Sequence, residues 1–150
     1  MIGSPEAEAS VLGCLLLGAT DAVLEVEDFA SPQHRAVHSA IIALHTRNEP
    51  VDAVTVVGEL RRSGLESALT CDTSAGRFVA DLLSAPPSVG SVGHYRRIAL
   101  EHRLRRAAHE AGERLQQIAE QGSGDELGAL LVEAFDEVRR LANRLQVATL

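Results

Sequence analysis

The sequence predicts an all-α protein, a compact multi-helix bundle over residues 1–93 followed by a protruding antiparallel helical hairpin over residues 94–150. Three observations predict it. Hydrophobic residues make up 45% of the 150 but aromatics only 3%, with no Trp, so a core must come mainly from Leu, Val, Ile and Ala, which favours packed helices. Ser4-Pro5 and Ser31-Pro32 read as helix starts, because a hydroxyl caps free amides and proline is tolerated in a first turn. In the last third, apolar residues recur at alternating spacings of four and three, the pattern of helices that pair along a seam.

From Pro5 the first helix should run to about Leu17, where Gly18 stops it. Thr20 or Asp21 can cap a short second helix through Val26, after which Asp28-Phe29-Ala30 leads to the next cap. A third helix follows from Pro32 to about Arg47, with Val37, Ala40, Ile41 and Leu44 on one face. The segment from Pro50 to Val57 is ambiguous, since its β-branched residues suit a strand as well as a helix. Asp52 as a cap and Gly64 as a left-handed terminator favour helix. Residues 65–75 are small and polar and read as a loop. Phe78, Val79, Leu82 and Leu83 give a short fifth helix ended by Pro86-Pro87.

The hairpin is written more regularly. Between Ser91 and Gln121, Leu104, Ala108, Ala111, Leu115 and Ile118 form one stripe. Leu127, Leu131, Ala134, Val138, Leu141 and Leu145 form another on the following helix. Gly122-Ser123-Gly124 marks the turn, with Ser123 and Glu126 spaced as a capping box. A lone helical pair buries little, so this hairpin is expected to be an association element. The alternative is a hairpin folded back on the N-terminal helices.

Composition removes several functions. The chain has 14 Arg and no Lys, which excludes a phosphate loop ending in Gly-Lys, a Schiff-base lysine and a lysine general base. No apolar run approaches the roughly 20 residues of a membrane span, and the expected location is cytoplasmic. The formal charge of −7 belongs to residues 1–93, which hold 5 Arg and 12 acids against 9 and 9 in the remainder. Cys14, in an apolar run, reads as a small buried hydrophobe, and Cys71 as a residue of a polar loop.

Candidate sites are sparse. His34 and His38 have the one-turn spacing of a metal pair, but local spacing supplies no third ligand. His94, His102 and His109 read as solvated. Glu25, Glu27 and Asp28 form a local acidic cluster that also reads as solvated surface. No Gly-x-Ser-x-Gly elbow is present; Gly90 and Gly93 flank Ser91-Val92 without a strand to position them. Arg96, Arg97, Arg103, Arg105 and Arg106 are the one basic concentration, diluted by Glu101, Glu110 and Glu113. They suit an acidic protein partner, or phosphate contact in a nucleic-acid-associated regulator.

The order of short motifs resembles the N-terminal domain of DnaB-type bacterial replicative DNA helicases. The matching residues are Pro5-Glu6-Ala7-Glu8 with Ser10-Val11-Leu12-Gly13, then Asp28-Phe29, His34-Arg35 and Pro50-Val51-Asp52-Ala53-Val54-Thr55-Val56. Gly76 ahead of Phe78-Val79, then Pro87-Ser88, Tyr95, Ile98, Glu101 and Leu104-Arg105 complete them. The resemblance implies that the ambiguous valines are helical. It also implies that the hairpin, about residues 96–145, serves self-association and contact with primase or a helicase loader, DNA being met only indirectly. By the same resemblance the chain needs no cofactor, since ATP and Mg would belong to a motor domain outside these residues. The sequence departs from the pattern at Ala30 and His38, where the family usually has aromatics, and at Ser91, where it usually has Asn. The loop Glu66–Ala75 is longer than usual, and a double glycine is reduced to Ala75-Gly76.

Overall fold

The computed structural model describes residues 3–20, 24–69 and 73–148. Six α-helices follow in order: α1 Pro5–Leu16, α2 Pro32–Thr46, α3 Ala53–Arg62, α4 Ala75–Leu83, α5 Val92–Gln121 and α6 Gly124–Val147. The described residues contain no strand. None of the described helices is long and apolar enough to cross a membrane.

The helix starts follow the local chemistry of the sequence. Ser4 Oγ accepts from the Ala7 amide at 3.4 Å and Ser31 Oγ from the His34 amide at 3.4 Å. Asp52 Oδ1 accepts from Val54 and Thr55 at 2.8 and 2.9 Å. This resolves the valine segment as helix, because the cap satisfies amides that a strand would have to pair elsewhere. Gly64, at φ 74°, terminates the chain path after α3 in the left-handed region open to glycine.

Two expectations need correction. Residues 21–23 of the short second helix lie outside the described residues; Leu24 and Glu25 are not helical, and Val26–Asp28 forms a single 3₁₀ turn instead. The Asp28 carboxylate closes that turn by accepting the Glu25 amide at 2.7 Å. In the loop after α3, Leu65–Ala68 makes another 3₁₀ turn and Leu69 is buried, so this segment contributes to the core. Cys71 lies outside the described residues.

The core sits among α1–α4 and the first part of α5. Val11, Leu12, Phe29, Val37, Val56 and Val79 are fully enclosed there. Cys14 is buried with them, as expected. Gly13 permits close approach of α1 to the end of α4, since a Cβ there would collide with the Leu82 carbonyl and the Pro86 ring. A buried acid ties α1 to the start of α2. Glu8 accepts from the Ala30 amide at 2.8 Å and the Ser31 amide at 3.3 Å, and meets His34 Nδ1 at 2.8 Å. Burial pushes the carboxyl up, but the His34 bond and the two amides outweigh it and hold it below its ordinary value.

Candidate association surface on the helical hairpin

α1 packs against α5, and α5 packs against α6 in the antiparallel sense that the facing pairs Arg103–Glu137 and Arg114–Glu133 require. The turn between them is built as expected: Ser123 Oγ accepts the Glu126 amide at 3.2 Å while Glu126 Oε2 accepts the Ser123 amide at 2.9 Å. At the base, Leu145 and Ala148 pack on the bundle core. The hairpin is therefore seated on the bundle at its base.

Charge fixes that seat. Arg144 meets the Asp28 carboxylate at 2.6 Å and Glu25 at 3.2 Å, and Arg140 also reaches Glu25 at 3.2 Å. Arg106 donates to the main-chain carbonyls of Asp28 at 2.6 Å and Glu27 at 3.3 Å. Asp28, 1% exposed, is thus buried structure rather than the solvated surface expected, and Glu25 is drawn into the same network. Burial lowers the Arg106 guanidinium from its ordinary value.

Of the predicted stripe residues one is enclosed, two are exposed and the rest are half-buried. Leu141 is enclosed at 1% exposure, and Ala111, Ile118, Leu127 and Ala134 are half-buried. Ala108 and Leu131 are exposed, while Leu104, Leu115 and Val138 are half-buried. The residues enclosed in their place are Ala107 and Leu130, each one position earlier. Successive helical residues are turned by about 100°. In an antiparallel pair, the residue following an inward one therefore points to the same side of both helices. Leu104, Ala108 and Leu115 of α5 accordingly share one side of the hairpin with Leu131, Phe135 and Val138 of α6.

That side is apolar and open. Phe135 is 70% exposed and Leu131 37%. Phe135 was missed by the period reading, although an aromatic among acidic neighbours in a chain with so few was a signal of its own. The opposite side is charged. Arg103 meets Glu137 at 3.0 Å and Arg114 approaches Glu133 at 3.8 Å. Arg140 above all, with Arg103 adding to it, lowers the Glu137 carboxyl from its ordinary value. The two sides of one hairpin thus differ in kind.

The predicted arginine cluster does not make one basic patch. Arg106 is buried, Arg103 is in its ion pair and Arg96 is half-buried, leaving Arg97 and Arg105 exposed. His94 and His109 are exposed as expected, and His102 is half-buried. His34 is engaged with Glu8. Among the described residues no three His, Cys, Asp or Glu side chains converge to hold a metal.

The model of the DnaB-like helicase N terminal domain matches residues 2–101. The chain belongs to this family. The solved N-terminal domain of DnaB helicase from Mycobacterium tuberculosis is 36% identical, with a TM-score of 0.72 over 93% of this chain and 95% of that one. The replicative DNA helicase DnaB of Mycobacterium leprae is 37% identical over 139 residues, 89% of this chain and 22% of the relative. The replicative DNA helicase DnaC of Bacillus subtilis is 31% identical over 147 residues, 93% of this chain and 31% of the relative. The chain thus spans between about a fifth and a third of these helicases. The match with the solved domain extends the DnaB-type fold through the hairpin, beyond the residues that the family model covers.

Proposed function

We propose that this DnaB-type domain is a non-catalytic assembler in DNA replication, self-associating through the apolar side of its hairpin and presenting surfaces to primase or a helicase loader. The observation that carries the reading is the exposed pair Leu131 and Phe135 with half-buried Val138, on the same side as Leu104, Ala108 and Leu115. Burying that side against a second copy returns apolar area to a dry environment at about 25 cal/mol per Å². A two-fold pairing uses the same patch on both copies. The charged opposite side and the bundle remain free for other partners, and DNA is met only through them. In this reading the chain works in the cytoplasm without a cofactor, and ATP and Mg belong to the motor portion of its helicase relatives.

Light scattering of the purified chain across a concentration series tests the association. The native sequence should give a dimer or larger species, while Phe135→Asp and Leu115→Asp should weaken association at least about tenfold with the helical circular dichroism unchanged. A strictly monomeric native chain at high concentration would overturn the proposal.

A further inference from the structure

The bundle carries a groove of about 470 Å³, open to solvent, between α1 and the C-terminal end of α4. Its accessible walls are apolar, Pro5 and Ala9 on one side and Phe78 with Ala85 on the other. Beneath them Leu82, Ser10 and His34 are 3%, 6% and 7% exposed. The two polar ones are committed inside the protein, Ser10 Oγ to the Ala85 carbonyl at 3.5 Å and His34 Nδ1 to Glu8 at 2.8 Å. The remaining lining residues are two exposed acids, Glu6 of α1 and Asp81 of α4. No ion pair holds the Glu6 carboxylate among the described residues. Asp81 meets Arg77 at 3.2 Å, but both side chains stand mostly in water, where such a pair is worth little. No basic residue lines the groove, and none stands in the last turn of α4, whose carbonyl end favours a cation.

We propose that this groove takes a basic amphipathic helix of a partner protein, with Arg or Lys side chains at Glu6 and Asp81 and an apolar side chain against Ala9 and Phe78. Such a helix binds a groove by its apolar face, and the long stems of Arg and Lys can lie on apolar wall while their charges reach the acids at the rim. Charge argues for this occupant. The acids in excess lie in residues 1–93, whereas the hairpin residues balance 9 Arg against 9 acids. The field around the bundle therefore draws in a cationic partner and repels the phosphates of a nucleic acid. The inference rests on the proposed role of the bundle as a partner surface and gives that surface a place and a chemistry. It is independent of how the hairpin associates.

The test is a titration of the full chain with an alanine-based helical peptide carrying two arginines and one leucine, followed by NMR at the Ala9 methyl and the Phe78 ring. Saturable shifts confined to the groove are expected. Glutamates in place of the peptide's arginines should abolish binding, and alanine in place of its leucine should weaken it about fivefold. Glu6→Gln and Asp81→Asn, at exposed positions where folding is not at stake, should each weaken binding about threefold and together about tenfold. Glu27→Gln removes the same charge from an exposed residue outside the groove and should leave affinity unchanged. Agmatine, a small molecule bearing the guanidinium alone, should bind at least about tenfold more weakly than the peptide. Light scattering of the same samples reads self-association separately. Shifts centred elsewhere on the bundle would overturn the groove while leaving the bundle a partner surface. Absence of saturable shifts, equal weakening by Glu27→Gln and Glu6→Gln, or agmatine binding as tightly as the peptide would each overturn the proposal.

Discussion

The bundle and the hairpin spend their apolar residues in opposite ways. In the bundle, Val11, Leu12, Phe29, Val37 and Val56 face one another and are shut off from water. In the hairpin, α6 encloses only Leu130 and Leu141 while Val132 and Phe135 stand open. The difference teaches that the bundle completes its own core, whereas the hairpin leaves large apolar groups in water, the feature on which its proposed association rests. Charge follows the same division. In the bundle it closes joints, as in Glu8 with His34, and at the hairpin base Arg144 with Asp28. Farther along the hairpin it labels one side.

The sharpest test of the self-contained half is Phe29→Ala. Phe29 is fully enclosed and packs on His38, so its removal leaves a cavity walled by α1 and α2. Chemical denaturation should show a loss of about 3–5 kcal/mol. A loss under about 1 kcal/mol would mean that the bundle core is less complete than its burial suggests.

A smaller effect should separate the halves by pH. His38 titrates near 4 in the fold against 6.5 unperturbed, because burial disfavours its charged form. On acidification the unfolded chain takes up a proton that the folded chain refuses, so stability is full above pH 6.5 and falls as pH drops toward 4. The loss from this one group is up to about 3 kcal/mol. Comparing native and His38→Phe chains isolates it: the variant should show a flatter stability profile between pH 4.5 and 6.5. The Glu8 carboxyl, held below its ordinary 4.5, adds its own loss only on further acidification and affects both chains equally. Parallel profiles for the two chains would show that His38 does not resist protonation in the fold.

The two regions were also legible to different degrees. Helix starts could be read because capping is local chemistry: Ser4, Ser31, Asp52 and Ser123 sit within three residues of the amides they satisfy. The hairpin could be read from its period, and its turn from Gly122-Ser123-Gly124 and the capping-box spacing of Ser123 and Glu126. Its rotational setting could not. Ala107 and Ala108, like Leu130 and Leu131, are adjacent apolar pairs, and the heptad count selects the second of each while the fold encloses the first. The choice depends on where α5 meets α1 and the turn at Glu27 and Asp28, contacts 78 and 79 residues away for Arg106. The same distance hides the burial of Arg106 and Asp28, which composition assigns to the surface. His38 was legible as a departure from the family pattern, but its burial depends on the packing of Phe29 against it.

The smallest expected effect cuts most directly between the halves. Leu131→Ser removes a large apolar group from the open side of α6, where the residue is 37% exposed, and serine costs a helix interior about 0.5 kcal/mol. Measured at concentrations low enough to hold the chain monomeric, denaturation should therefore shift by no more than about 1 kcal/mol. Leu130→Ser, one position earlier and enclosed, should cost at least about 2 kcal/mol under the same conditions, because it opens the inner seam and places a hydroxyl there. Light scattering should reverse the emphasis, with Leu131→Ser weakening association at a given concentration while leaving the monomer intact. Equal losses of monomer stability from the two neighbours would mean that the inner seam includes Leu131, and the assignment of that side to a partner would fail.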